Sequence, residues 1–248
     1  MNDHYLGVPI EKIKAGFFEL TGCEGCQLQL LNNEHTVLDF LDLLDIRKFR
    51  EVMTGGTDDY DIAFIEGSVT TKEEVDRLKG IRSRAKSVVA LGSCACFGGV
   101  NQMINPALDK ENTMIDVKPL SAYVDIDLGI PGCPIKKEEV ERIVLNLILG
   151  KSVALPPYPV CMECKAKENL CLFDIGELCL GPVTKAGCDA WCPENRLGCR
   201  GCRGPADDAN IKLLLEVAQE KGIERNIVIE ALECFGGFNS TVLKMRTT

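Results

Sequence analysis

In the first part of the chain, short apolar runs alternate with stretches whose apolar residues recur at helical spacing. The runs IKAGFFEL, DIAFIEG, SVVALGS and VDIDLGI are typical of buried strands. The helical pattern covers residues 27–44, 71–84 and 136–149, and the second of these opens with the start signal Thr-Lys-Glu-Glu. Strands that alternate with helices predict an α/β fold, in which a parallel sheet carries helices on both faces.

The pattern changes at about Pro156, where PPYP begins a segment rich in Cys, Gly and Pro with little periodicity up to Pro205. We therefore predict two domains, residues 1–155 and residues 156–248. The second is expected to be small and irregular, with too little apolar surface to fold without bound metal. The stretch DDANIKLLLEVAQEKG predicts a C-terminal helix, followed by a short apolar tail.

Charge and hydropathy exclude two classes of protein. The formal net charge of −9, from 37 acidic and 28 basic residues, argues against a nucleic-acid partner, which would need clustered Lys and Arg. No window approaches the roughly 18 to 20 apolar residues of a membrane span, and the N-terminal residues lack the pattern of an export signal. We expect a cytoplasmic protein without a membrane span.

The chain has 14 cysteines and only two histidines. In a reducing compartment that number exceeds what a disulfide framework explains, so metal ligation is the first hypothesis. Four cysteines follow predicted strands, whose carboxyl ends share one edge of a parallel sheet and can therefore meet. These four are Cys23, Cys26, Cys94 and Cys133. Four thiolates at one point suit either zinc or a 4Fe-4S cluster.

Eight further cysteines crowd the second domain and divide into two sets of four. They are Cys161, Cys164, Cys171, Cys179, Cys188, Cys192, Cys199 and Cys202. Zinc ribbons also use paired CxxC motifs, so a zinc-stabilised structural module without a redox role is an alternative. Two adjacent metal sites that lead to a third favour an electron path.

Seven motifs in order make the chain resemble the small subunits of nickel–iron hydrogenases over nearly its whole length. They are LTGCEGCQLQL, DIAFIEGSVTTKEE, LGSCACFGGV, PGCP, PVCMECKAKENLC, ELCLGPVTKAGCDAWCP and CRGCRGP. The chain looks most similar to the cytoplasmic, NAD(P)-linked group that includes the sulfhydrogenase delta subunits. The resemblance implies a flavodoxin-like first domain and an irregular iron–sulfur domain.

By the same resemblance, three 4Fe-4S clusters would be bound. The proximal cluster would take Cys23, Cys26, Cys94 and Cys133; the medial cluster Cys188, Cys192, Cys199 and Cys202; the distal cluster Cys161, Cys164, Cys171 and Cys179. Cys161 occupies a position where periplasmic relatives have histidine. A fourth medial cysteine implies 4Fe-4S, because relatives with proline there hold a 3Fe-4S centre.

The resemblance also implies a division of labour between subunits. This chain lacks the second pair of CxxC motifs that the family's nickel site requires, so it would carry no catalytic residue, and hydrogen would be split in a large subunit. Electrons would then pass to iron–sulfur and flavin subunits that reduce NAD(P). A coupling to the deazaflavin F420, to heterodisulfide chemistry or to electron bifurcation is the alternative within the same cysteine plan.

Several residues remain outside these assignments. Cys96 is interpreted as a packing residue beside Cys94, with a role as an alternative ligand left open, and Cys234 as a core residue after a helix. Glu66 either contacts the proximal site or is an ordinary polar strand end. Trp191 either shields the medial cluster or simply packs, and His4 and His35 are expected at the surface.

Overall fold

The computed structural model describes residues 4–5, 8–9, 12–32, 37–103 and 114–246. Five parallel strands form the central sheet: β3 (Ile13–Glu19), β4 (Leu44–Lys48), β5 (Ile62–Glu66), β7 (Ser87–Leu91) and β9 (Leu128–Ile130). Their order across the sheet is β4-β3-β5-β7-β9. Counted along the chain this is 2-1-3-4-5, the flavodoxin-like order. The predicted parallel α/β fold is confirmed.

Two antiparallel strand pairs lie outside this sheet. They are β1 (His4–Tyr5) with β2 (Val8–Pro9), and β6 (Val69–Thr71) with β8 (Met114–Lys118). His4 lies in β1, and His35 falls outside the described residues. Within the described residues, no helix is long and apolar enough to cross a bilayer.

The stretch 27–44, which we predicted as one helix, contains two short helices and the start of an edge strand. The helices are α1 (Gly25–Leu31) and α2 (Val37–Asp42), and β4 begins at Leu44. Only Leu44 of β4 is fully buried, because an edge strand has a partner on one side alone. Its weak apolar pattern merged with the helical periodicity before it, so the prediction was wrong here. VDIDLGI was also too long, since only residues 128–130 are extended.

Helices cover both faces of the sheet, as predicted. Successive side chains of a strand point to opposite faces, and Phe17 and Phe18 accordingly belong to different buried clusters. Phe17 stacks on Phe64 at 4.9 Å between ring centroids, on the face covered by α5 (Lys137–Ile148). Phe18 lies on the other face, which α3 (Lys72–Arg84) covers.

Both predicted long helices of the first part form, and α3 shows why the sequence signal was strong. Its N-cap residue, Thr71, accepts a hydrogen bond from the Glu74 amide, and the Glu74 carboxylate accepts one from the Thr71 amide. This capping box satisfies amides that a helix start would otherwise leave without a partner.

The cysteine-rich part has few regular elements, but it shares an apolar cluster with the C-terminal helices. Its helices are α6 (Val160–Ala166) and α7 (Trp191–Glu194); α8 (Ile211–Glu220), α9 (Arg225–Glu233) and α10 (Asn239–Arg246) follow. Val160, Leu180 and Phe238 are among the buried members of the cluster. α8 agrees with the predicted C-terminal helix, whereas α9 and α10 replace the expected tail. The domain boundary at residues 155–156 stays a prediction.

Candidate metal centres

The strand-end set consists of Cys23, Cys26, Cys94 and Cys133. Cys23 follows β3, Cys26 lies in α1, Cys94 lies in α4 (Gly92–Phe97) directly after β7, and Cys133 follows β9. Burial, with smaller contributions from the neighbouring thiols of Cys133 and Cys23, raises the pKa of Cys94 to about 11. Burial raises the pKa of Cys26, and the nearby thiols of Cys133 and Cys94 contribute to that rise. The sheet edge therefore brings the four predicted residues together.

Glycines let the backbone lie very close to the sulfur atoms of the strand-end set. Gly92 has φ +83°, and a Cβ atom there would lie 2.5 Å from Cys26 Sγ. Gly99 has φ +61°, and its Cβ would lie 2.6 Å from Cys94 Sγ. Only glycine combines this conformation with such close approach. These sulfur atoms are thus packed directly against main chain, close enough for backbone amides to donate to a group that they bind.

Glu66, at the end of β5, binds the backbone beside the strand-end set. It is only 3% exposed. Its carboxylate accepts hydrogen bonds from the amides of Cys26, at 3.0 Å, and Gln27, at 2.9 Å. Burial raises the pKa of Glu66, and these two amides oppose that rise. Of the two interpretations of Glu66, the geometry favours the contact with the site, because the carboxylate anchors the start of the helix that presents Cys26.

The CMEC set consists of Cys161, Cys164, Cys171 and Cys179. Cys161 and Cys164 lie in α6, and Cys171 precedes the 3₁₀ turn Leu172–Ile175. Burial, with smaller contributions from the thiols of Cys179, Cys164 and Cys171, raises the pKa of Cys161 to about 12. Cys161 therefore lies close to the other three residues, and Cys179 lies close to Cys164 and Cys171.

The CRGC set consists of Cys188, Cys192, Cys199 and Cys202. Burial, with smaller contributions from the thiols of Cys188 and Cys192, raises the pKa of Cys202 to about 12. Burial likewise raises the pKa of Cys199, to which the Cys202 thiol also contributes. All four residues line a cavity of about 490 Å³.

The CRGC set lies between the other two. On one side, the Cys133 amide donates to Cys202 Sγ and lowers the pKa of that thiol. On the other side, the Cys199 amide donates to Cys179 Sγ at 3.3 Å. The three sets therefore form a series, with the strand-end set first and the CMEC set last.

The structure also locates the residues that the sequence left unassigned. Cys96 donates its S–H to the Ala90 carbonyl, 3.7 Å away, and packs against one face of the sheet, as expected. Cys234, expected in the core, ends α9 close enough to Cys133 to raise the pKa of that thiol. Trp191 lines the CRGC cavity but is 62% exposed, so it does not fully pack.

A single metal ion needs its ligands more tightly gathered than a cluster does. Across residues 12–32, 37–103 and 114–246, no group of three or more His, Cys, Asp or Glu side chains is arranged to hold one ion. A 4Fe-4S cluster takes one thiolate at each of its four irons, so its ligands lie farther apart. Glycines pack against sulfur atoms of the strand-end set, and backbone amides donate to sulfur atoms of the CRGC set, so both surroundings fit such a group.

Comparisons with known proteins agree with this fold. Residues 23–147 match the family described as NADH ubiquinone oxidoreductase, 20 Kd subunit. The chain is 37% identical over 220 residues to the delta subunit of sulfhydrogenase 2 from Pyrococcus furiosus, covering 84% of this chain and 93% of that one. It is 27% identical over 275 residues to one of the subunits of the F420-non-reducing hydrogenase from Methanothermobacter marburgensis, covering 90% and 89%.

A solved structure with the same fold is the actinobacterial-type NiFe-hydrogenase of Ralstonia eutropha H16, with a TM-score of 0.60 and 15% identity over 96% of this chain and 90% of that one. The flavodoxin-like sheet with cysteines at its strand ends, together with the match over half of the chain, places the protein in the family of the 20 Kd oxidoreductase subunit. Within that family the chain is a small subunit of a nickel–iron hydrogenase, and so part of an oxidoreductase complex.

Proposed function

We propose that this chain relays electrons between a hydrogen-activating large subunit and an acceptor-reducing subunit, through three 4Fe-4S clusters. The strand-end set would hold the proximal cluster, the CRGC set the medial cluster and the CMEC set the distal cluster. The observation that carries the proposal is the serial arrangement of twelve cysteines, in which one hydrogen bond from a backbone amide to a sulfur atom links each set to the next.

When bound, the clusters supply one-electron carriers at three successive positions. The chain contributes the thiolates and the surroundings that adjust them. Amides of Cys133 and Cys199 point at sulfur atoms of neighbouring sets, where hydrogen bonding stabilises negative charge. Burial disfavours the charged thiolates at the same positions, as the raised pKa values of Cys179 and Cys202 show. Binding of iron would therefore release protons from these thiols.

The large subunit would cover the strand-end edge of the sheet. Leu28 on α1 is 49% exposed, and Met103, in the 3₁₀ turn Gly99–Met103, is 71% exposed. Cys23 and Cys133 are exposed at the same edge. Exposed apolar side chains around exposed thiols are typical of a surface that a partner covers. Coverage by a large, obligate interface would keep water from the proximal cluster.

For the acceptor, we propose iron–sulfur and flavin subunits that reduce NAD(P). The same relay would serve an F420-coupled, heterodisulfide-reductase-linked or electron-bifurcating complex. The complex, purified without oxygen, should reduce NAD⁺ or NADP⁺ with hydrogen as the electron donor. Reduction of F420 instead, or of a ferredoxin together with a second acceptor, would replace the NAD(P) assignment and leave the relay intact.

Metal content tests the relay itself. We expect about twelve iron atoms and as much sulfide per chain, as three 4Fe-4S clusters require, with nickel in a co-purifying subunit. Electron paramagnetic resonance of the reduced complex should show magnetically interacting centres. Stoichiometric zinc with little iron would overturn the proposal and identify a structural module.

A further inference from the structure

A fully buried ion pair lies between the strand-end set and the CRGC set. Arg203, directly after Cys202, is 1% exposed, and Glu139, in the first turn of α5, is 3% exposed. The guanidinium donates to both carboxylate oxygens, each at 2.8 Å. Two charges are rarely buried this deeply unless each is fully paired.

The rest of the guanidinium bonds to main chain on both sides. Nη1 donates to the Pro131 carbonyl at 2.7 Å, and Nε donates to the Ala186 carbonyl at 2.8 Å. Pro131 lies two residues before Cys133, and Ala186 lies two residues before Cys188. One side chain therefore connects three backbone segments that each carry a cysteine of the two sets.

The surrounding backbone is shaped for this pair. Gly187, with φ +112°, lies against it, and a Cβ atom there would come within 2.3 Å of Arg203 Nη2 and 2.5 Å of Glu139 Oε1. Lysine could not replace the arginine, because an ammonium group lacks the planar fork that reaches a carboxylate and two carbonyls at once.

The charge of Arg203 also acts on the cysteines. Burial and Glu163 raise the pKa of Cys188, while the Arg203 guanidinium lowers it. Glu139 neutralises this buried positive charge in the intact protein. Loss of the carboxylate alone would therefore leave an unpaired positive charge beside the CRGC set, which would favour the reduced, more negative state of a bound cluster.

Resting on the proposed relay, we propose that Arg203, held by Glu139, is a positioning residue that sets the separation between the proximal and medial clusters. A purely structural pair would contribute to folding without controlling that separation. If the pair sets the separation, altering it should change the magnetic interaction between the two clusters. If the pair is purely structural, that interaction should stay the same.

The experiment uses the intact, anaerobically purified complex with Arg203→Lys, Glu139→Gln and the matched control Arg82→Lys. Arg82 lies in the last turn of α3 and pairs with Asp127 at 3.0 Å. Iron content, redox titration and the magnetic splitting between reduced clusters are measured for each variant.

We expect full iron content in all three variants. Arg203→Lys should change the proximal–medial splitting while Arg82→Lys leaves it as in the wild type, and Glu139→Gln should shift the medial potential upward. Unchanged splitting and potentials in both pair variants, with only a lower melting temperature, would overturn the proposal. If Arg203→Lys does not assemble, the same readouts on Glu139→Gln decide it. A wild type without clusters would instead refute the relay on which the proposal rests.

Discussion

Replacement of Gly92 by alanine should prevent binding of the proposed proximal cluster while leaving the other two proposed clusters in place. Two effects combine at this position. A left-handed backbone costs a non-glycine residue roughly 1–2 kcal/mol, and the new Cβ would lie 2.5 Å from Cys26 Sγ. Since nonbonded carbon atoms prefer about 3.5–4.0 Å, and sulfur is larger than carbon, Cys26 would have to move by about 1 Å or more. Such crowding in a packed interior costs about 1–3 kcal/mol.

Gly150→Ala separates the strain from the contact. Gly150 has φ +64°, but nothing lies within 4 Å of a Cβ built there. Gly150→Ala should therefore incur only the cost of the left-handed backbone. Its melting temperature should fall by about 2–8 °C for a chain of this size, and its iron content should stay complete. The melting temperature of Gly92→Ala should fall further, and this variant should lack about four of the iron atoms.

The assay compares both variants with the wild type in the anaerobically purified complex, by iron and sulfide analysis and thermal unfolding. Full iron in Gly92→Ala, with a melting temperature equal to that of Gly150→Ala, would refute the reasoning that Cys26 is held against this glycine. Iron loss in both variants would show that strain alone disturbs the site.

Three other changes have defined outcomes. Glu66→Gln leaves one of the two α1 amides, those of Cys26 and Gln27, without an acceptor, so stability should fall by about 1–3 kcal/mol, as measured by denaturant unfolding. Burial raises the pKa of Cys96 from 9.0 to about 12; the folded thiol stays neutral where the unfolded one ionises, so stability falls as pH rises from 9.0 towards 12. Cys96→Ala should flatten that fall in alkaline unfolding curves and keep all iron, and a ligand role would be exposed by iron loss. Thr71→Ala removes the α3 cap and should cost about 1 kcal/mol, seen as a lower melting temperature with normal spectra.

Local signals in the sequence were enough for the elements with strong periodicity or strong caps. Four apolar runs that alternate with helical stretches predicted a parallel sheet, in which buried strands must be apolar on both faces, and the Thr-Lys-Glu-Glu signal predicted the start of α3. The sequence pattern did not predict edge strand β4, because its residues are mostly half buried and its pattern continued that of a helix. The sequence pattern also did not predict the C-terminal helices α9 and α10, because only short stretches of each are buried.

For the candidate sites, the sequence by itself determined the grouping of cysteines at strand ends and in closely spaced motifs. Only the tertiary structure decided the contacts between groups. The carboxylate of Glu66 meets the amide of Cys26 across 40 residues, and Arg203 meets Glu139 across 64. A carboxylate or guanidinium carries no local periodicity, so its partner is determined by which chain segments the sheet and the cysteine-rich part bring together.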